Sequence, residues 1–247
     1  MKIAIVSLSS CLGCQMVVLS LEEYLYEFIS ENNVSYAPFL LDEKVLPEVE
    51  LTLVEGTVRN GEHFMRAREI RDKSERVVAL GTCATYGGVQ GLADRLSEEE
   101  LLINRFGRGT SFEGAPQGVR RLLPLDSYIS IDAYLPGCPP PVELLRSFLE
   151  LTLSGNLPKR DGATVCSQCR VNSTPIPTSG PSRITGEAPL AGKCLLEQGY
   201  ICMGPLTRDG CGAECPTRFG VPCTGCRGPS DAVLGSPSAD QRTETIR

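Results

Sequence analysis

The chain has 247 residues, 41% of them hydrophobic, enough for one large domain or an ordinary domain with a smaller appendage. Its net charge of −6 gives no electrostatic reason to expect nucleic acid as a partner. No run of 18 apolar residues occurs, and the amino terminus enters a strand pattern without signal-peptide or twin-arginine features, so the expectation is a cytoplasmic protein with no membrane span.

The first apolar run, Lys2 to Leu8, reads as a strand that delivers Ser9-Ser10-Cys11-Leu12-Gly13-Cys14 to its carboxyl end. Beyond it, Val17, Val18, Leu21, Leu25, Phe28 and Ile29 mark the core face of a helix. Val34 to Leu41 and Leu51 to Glu55 read as further strands, the second ending in Glu55-Gly56-Thr57. A helix is expected over 61–73, then a strand over Val77 to Thr82 that leads to Cys83. Gly87-Gly88-Val89-Gln90-Gly91 lacks the Lys-Ser/Thr of a phosphate loop. It reads instead as tight backbone packing near Cys83 that lets a cluster or a partner approach. Ser97 to Leu125 is polar and loop-like, with a short helix at Glu98 to Asn104. A strand over Ile129 to Leu135 leads to Gly137-Cys138-Pro139-Pro140, and the prolines open a helix with Leu144, Leu145, Phe148, Leu149 and Thr152 on one side. This succession predicts an α/β fold, a flavodoxin-like doubly wound parallel sheet.

At Ser154 to Pro158 the composition changes. From Leu157 onward periodicity fades, Gly and Pro abound, and 10 Lys and Arg stand against 8 Asp and Glu, where the first 156 residues have 14 against 22. Three regions are expected: residues 1–156 as the sheet domain, 157–228 as a loop-rich irregular domain, and 229–247 as a polar tail.

The cysteines decide the chemistry. There are twelve, high for a cytoplasmic chain in which thiols stay reduced, and the last eight fall within 61 residues. Cysteines used as small core residues scatter singly; these include three Cys-x-x-Cys pairs, which points to metal ligation. Cys11, Cys14, Cys83 and Cys138 all follow strand ends, where ligands of an open α/β sheet collect. Zinc favours local knuckles, whereas ligands drawn from three distant loops suit a bulky iron–sulfur cubane. In the remainder, Cys166 and Cys169 precede Cys194 and Cys202, and Cys211 and Cys215-Pro216 precede Cys223 and Cys226. Cys followed by Pro near a Cys-x-x-Cys also occurs in ferredoxin cluster loops. The sole histidine, His63, reads as a surface residue, and no Ser-His-Asp set or nucleotide fingerprint is present. A segment so poor in apolar residues needs metal to offset its ordering entropy.

Ser10-Cys11-Leu12-Gly13-Cys14-Gln15, Glu55-Gly56, Gly81-Thr82-Cys83-Ala84 and Pro136-Gly137-Cys138-Pro139-Pro140 resemble the proximal-cluster motifs of nickel–iron hydrogenase small subunits. The later cysteines, with Met203-Gly204-Pro205 and Cys226-Arg227-Gly228, are similar to the delta or gamma subunits of cytoplasmic sulfhydrogenases and deazaflavin-linked hydrogenases. The resemblance implies three [4Fe–4S] clusters: proximal on Cys11, Cys14, Cys83 and Cys138; distal on Cys166, Cys169, Cys194 and Cys202; medial on Cys211, Cys215, Cys223 and Cys226. Membrane-bound and periplasmic relatives have a histidine where this chain has Cys166, and three medial cysteines where it has four. It further implies no catalytic residue in this chain. Dihydrogen is handled by a nickel–iron large subunit, and electrons leave to a flavin- or iron–sulfur-containing acceptor subunit. Glu55 reads either as a carboxylate bonded across that subunit contact or as a plain capping or surface group. Two alternatives are a single-cluster quinone-oxidoreductase-type subunit, whose adjacent cysteines are missing here, and a zinc-stapled structural module.

Overall fold

In the computed structural model, which describes residues 1–109, 114, 118–119, 121–157, 162–171 and 188–235, five strands form one parallel sheet. They are β1 (Lys2–Ser7), β2 (Asn33–Tyr36), β3 (Val49–Glu55), β4 (Ser74–Leu80) and β5 (Ala133–Leu135), in the order β2-β1-β3-β4-β5. Helices α1 (Gly13–Leu19), α2 (Glu23–Glu31), α3 (Gly61–Asp72), α4 (Gly81–Tyr86), α5 (Glu98–Phe106) and α6 (Val142–Leu153) connect or follow them. The order is that of a flavodoxin-like doubly wound sheet, whose direction of winding reverses between β1 and β3.

Both faces of the sheet are covered. Ile3 and Ile5 pack with Leu51, Leu53, Val78 and Leu80 beneath Val17 and Val18 of α1 and Leu145, Phe148 and Leu149 of α6. Ala4, Val6, Val54, Val77 and Ala79 pack on the other face against Ala67 and Ile70 of α3. Side chains alternate between faces along a strand, and with both faces buried the strands read as unbroken apolar runs. The register sets Ser7 beside Glu55, Glu55 beside Leu80 and Leu80 beside Leu135, so four strands end level at the carboxyl edge.

Several local expectations are corrected. The helix expected from Val17 to Ile29 is two, broken at Ser20 to Glu22 with Glu22 at φ +51. No Gly or Pro marks the break; it lets Leu21 and Phe28 join the cluster that holds Val17 and Val18. β2 stops at Tyr36 rather than Leu41, because Pro38 has no N–H to give a ladder. Leu40 and Leu41 instead donate their N–H groups to the Ala37 carbonyl. β5 is shorter than Ile129 to Leu135, since a 3-10 turn at Leu125–Ser127 buries Leu125 and Ile129 in the second cluster. Cys83 does not follow its strand as loop but sits within α4, which starts directly after β4. α5 runs on to Phe106 and is closed at its start by a capping box between Ser97 and Glu100. Positions 110–113, 115–117 and 120 of the expected 97–125 loop lie outside the described residues.

The chain divides into two compact units, Met1–Pro158 and Lys159–Arg247. Among its described residues the second contains only short helices, α7 (Val165–Gln168), α8 (Glu214–Arg218) and α9 (Asp231–Leu234), with a 3-10 turn at Gly204–Leu206. Isolated bridges join Thr164 to Arg208 and Thr207 to Pro229. The expected polar tail therefore begins with structure: Ser230 is buried, its N–H donates to the Leu206 carbonyl, and Asp231 pairs with the buried Arg208. Residues 236–247 of that tail lie outside the described residues. No helix among the described residues is long and apolar enough to cross a membrane.

Candidate metal centres

The carboxyl edge of the sheet gathers the first four cysteines. Cys11 comes from the β1–α1 turn, Cys14 from the first turn of α1, Cys83 from α4 after β4, and Cys138 from the turn after β5. Their mutual closeness is visible in their electrostatics. Burial first, then Glu55, Cys83 and Cys11, pushes the Cys14 thiol far above its usual range. Burial first, then Cys138, Cys11 and Glu55, pushes Cys83 up to about 11. Bringing thiols together away from water disfavours their ionised forms, and a cationic core bound to them removes that penalty.

The turns are cross-tied by specific bonds. The Thr82 N–H donates to the Gly137 carbonyl at 2.9 Å, and the Gly137 N–H donates to Thr82 Oγ1 at 3.0 Å, locking the Cys83 and Cys138 segments together. Ser9 and Thr57 exchange backbone bonds of 3.1 and 3.0 Å. Gln90 accepts from Ser9 Oγ at 2.9 Å and returns its own amide to the Ser9 carbonyl at 3.1 Å, tying the glycine-rich loop to the Cys11 turn. Ser10 Oγ donates to Glu55 Oε1 at 3.1 Å and lies 2.9 Å from Ser7 Oγ.

Glycines hollow out the space around the sulfurs. A Cβ on Gly81, at φ +83, would lie 2.3 Å from Cys14 Sγ, and one on Gly88, at φ +63, would lie 2.6 Å from Cys83 Sγ. Both positions require a conformation that other residues enter at a cost, and both would fill the cradle. Among the described residues, no three Cys, His, Asp or Glu side chains gather tightly enough to grip a single metal ion. Zinc would draw its sulfurs to about 2.3 Å from one centre. Four thiols brought from separate segments to one edge, over a glycine-lined hollow, fit a cubane with one thiolate per corner.

Within the second unit the other eight cysteines fall into two neighbouring groups. Burial, then Cys202, Cys169 and Cys194, raises Cys166 to about 11. Cys215 is raised by burial and then by Cys226 and Cys211. Cys223 stands between the groups: its N–H donates to Cys202 Sγ at 3.3 Å, and Cys202 acts on it more strongly than Cys226 does. A glycine again makes room, since a Cβ on Gly204 would approach Cys166 Sγ to 3.2 Å and Cys202 Sγ to 3.6 Å. Gln168 Oε1 accepts the N–H groups of Gly210 at 2.8 Å and Gly212 at 3.0 Å, holding the Cys211 turn against the Cys166–Cys169 helix. All twelve cysteines are free thiols.

Two side chains differ from what the sequence suggested, and a third was not singled out by it. Glu55 is neither exposed nor a helix cap; it is 1% exposed, beside Ser10 and Cys14 at the level strand ends. His63 is half-buried, and its Nδ1 accepts the Arg59 N–H at 3.3 Å. Gln90 carries no motif of its own, and the only hint of its part was its place in the glycine-rich loop.

A family model described as NADH ubiquinone oxidoreductase, 20 Kd subunit, matches residues 11–151. It ends before Cys166. One subunit of the vhu F420-non-reducing hydrogenase of Methanococcus voltae is 37% identical over 96% of this chain and 85% of its own length. Sulfhydrogenase 2 subunit delta of Pyrococcus furiosus is 30% identical over 93% of this chain and 87% of its own. Among solved structures, a chain of an NAD+-reducing [NiFe]-hydrogenase in the H2-reduced state superposes with a TM-score of 0.59 at 29% identity, over 65% of this chain and 95% of that one. A chain of the [NiFeSe]-hydrogenase of Dm. baculatum shares the fold over 96% of this chain and 98% of its own, with a TM-score of 0.60 at 18% identity.

Proposed function

This chain belongs to the NADH ubiquinone oxidoreductase 20 Kd subunit family and, within it, to the electron-transfer small subunits of nickel–iron hydrogenases; from that premise we propose that it carries three [4Fe–4S] clusters as an electron relay. The proximal one is held by Cys11, Cys14, Cys83 and Cys138, the distal one by Cys166, Cys169, Cys194 and Cys202, and the medial one by Cys211, Cys215, Cys223 and Cys226. The observation that carries the reading is the gathering of four cysteines, following three separate strands, onto one sheet edge, over glycines whose side chains would collide with the sulfurs.

Bound clusters supply one-electron carriers, and the rest is done by the polypeptide. The cross-tied turns hold the proximal sulfurs in place without motion of the sheet, which keeps the cost of reorganisation low. Backbone N–H groups aimed at sulfur, such as that of Cys223 toward Cys202, favour the more negative state and so raise potentials. Cys11 and Cys138 are exposed, and Leu12 and Met16 beside them are 52% and 58% exposed. That apolar rim suits the nickel–iron large subunit, which performs the chemistry of dihydrogen. The Cys166 and Cys202 end faces a flavin- or iron–sulfur-containing acceptor subunit, and the assembly works in the cytoplasm.

Iron and acid-labile sulfide, measured per chain in the purified complex, test this. About twelve iron atoms are expected, four for each cubane. About four would leave a single-cluster subunit, and zinc in place of iron would leave a structural module.

A further inference from the structure

The second unit buries two arginines among its described residues, and they are balanced differently. Arg208, 4% exposed, is matched by the Asp231 carboxylate. Arg227, 5% exposed, directly follows Cys226, and its Nε donates to the Asp209 carbonyl. Its Nη2 lies so close over the backbone before Cys211 that a Cβ on Gly210 would come within 3.0 Å of it. Gly210 sits at φ +96, which leaves that space open. Burial acts first on the guanidinium, against its charge; among the described residues Cys211, then Asp209, then Cys226 favour that charge, and Arg208 opposes it. A buried cation therefore lies within reach of two ligands of one centre, the adjacent Cys226 and, next to Gly210, Cys211.

We propose that the Arg227 guanidinium is the fixed positive charge that raises the reduction potential of the centre held by Cys211, Cys215, Cys223 and Cys226, an inference that rests on the cluster assignment above. Reduction brings one electron from a neighbouring centre and no proton, so the negative charge of the thiolate-bound centre grows by one. A cation fixed beside it favours that more negative state, and burial leaves the attraction weakly screened. Potentials follow net charge and burial around the sulfurs. Among the described residues, the charged groups acting on Cys14 and Cys83 are instead Glu55 and neighbouring cysteines.

The test is a redox titration followed by electron paramagnetic resonance on the purified hydrogenase complex, for Arg227→Met, Arg227→Gln and Arg227→Lys. The centre concerned is identified as the one whose signal changes in Cys215→Ser. Iron is counted first, because a native complex with about four iron atoms per chain removes the cluster assignment and not merely this inference. With full iron, the Met and Gln variants are expected to shift the reduced-to-oxidised ratio of that one centre at least tenfold toward oxidised, about 59 mV for one electron. The Lys variant is expected to stay within about threefold of the native ratio, about 28 mV on the same scale. Native potentials in both neutral variants overturn the proposal. So does an equal shift in the Lys variant, an equal shift of all three centres, or loss of iron from both neutral variants, which would make Arg227 a support of the fold.

Discussion

The two units of this chain are held together by different materials. Met1–Pro158 buries two aliphatic clusters, one on each face of a five-stranded sheet. In Lys159–Arg247 the buried apolar cluster among the described residues is Val165, Ala213 and Cys223, padded by Cys169, Cys202 and Cys211. Hydrocarbon burial at roughly 25 cal/mol per Å² can stabilise the first. Among its described residues the second has little of it to set against backbone ordering at about 1–2 kcal/mol per residue. Its side chains are arranged around sulfur, with polar ties such as Gln168 to Gly210 and Gly212 as the frame.

Removing iron should separate them most sharply. After chelation under reducing conditions, amide hydrogen exchange across residues 188–235 is expected to accelerate by orders of magnitude, while β1, β3 and β4 keep their protection. Equal loss in both units would erase the distinction between them.

A second experiment reverses the logic by damaging a site while sparing its unit. Gly81→Ala places a methyl 2.3 Å from where Cys14 Sγ lies, at φ +83. The variant is expected to lose about four of twelve iron atoms, counting four per cubane. Its far-ultraviolet circular dichroism should stay near native. Gly220→Ala, also at positive φ but with nothing within 4 Å, should keep all its iron and lose only about 1–2 kcal/mol of stability.

A smaller effect concerns pH in the iron-free protein, where the first unit still has a folded state to titrate. The Cys83 thiol is raised from 9.0 to about 11 by burial and by Cys138, Cys11 and Glu55. The folded form therefore holds its proton more tightly than the unfolded form. That contribution is present in full below about pH 9 and is lost as the pH rises toward about 11. A lower urea midpoint at pH 10 than at pH 7.5 is expected, and Cys83→Ala should reduce the difference.

The smallest expected effect lies away from both sites. Ser97→Ala removes the capping box of α5, at a cost of about 0.5–2 kcal/mol, with iron content and potentials unchanged. An altered iron count there would mean that the segment after the glycine-rich loop helps to hold the proximal cysteines.

Much of this molecule could be read from its residues alone. The strands β1, β3 and β4 were legible because a parallel strand buried on both faces needs an unbroken apolar run, a local property. The cysteines declared themselves for a similar reason: short spacings such as Cys11 to Cys14 and Cys223 to Cys226 are matters of a few bonds. The family was legible because those spacings recur with Gly and Pro beside them. What only the tertiary structure decided involves residues far apart in the chain. The Gln90 amide reaches Ser9 across 81 positions, and Glu55 is sealed beside Ser10 and Cys14 only once β1 and β3 are paired. The break at Glu22 and the seat of Arg227 over Gly210 belong to the same kind. Each follows from what the assembled core and the sulfur groups leave room for, and no local preference of the sequence records that space.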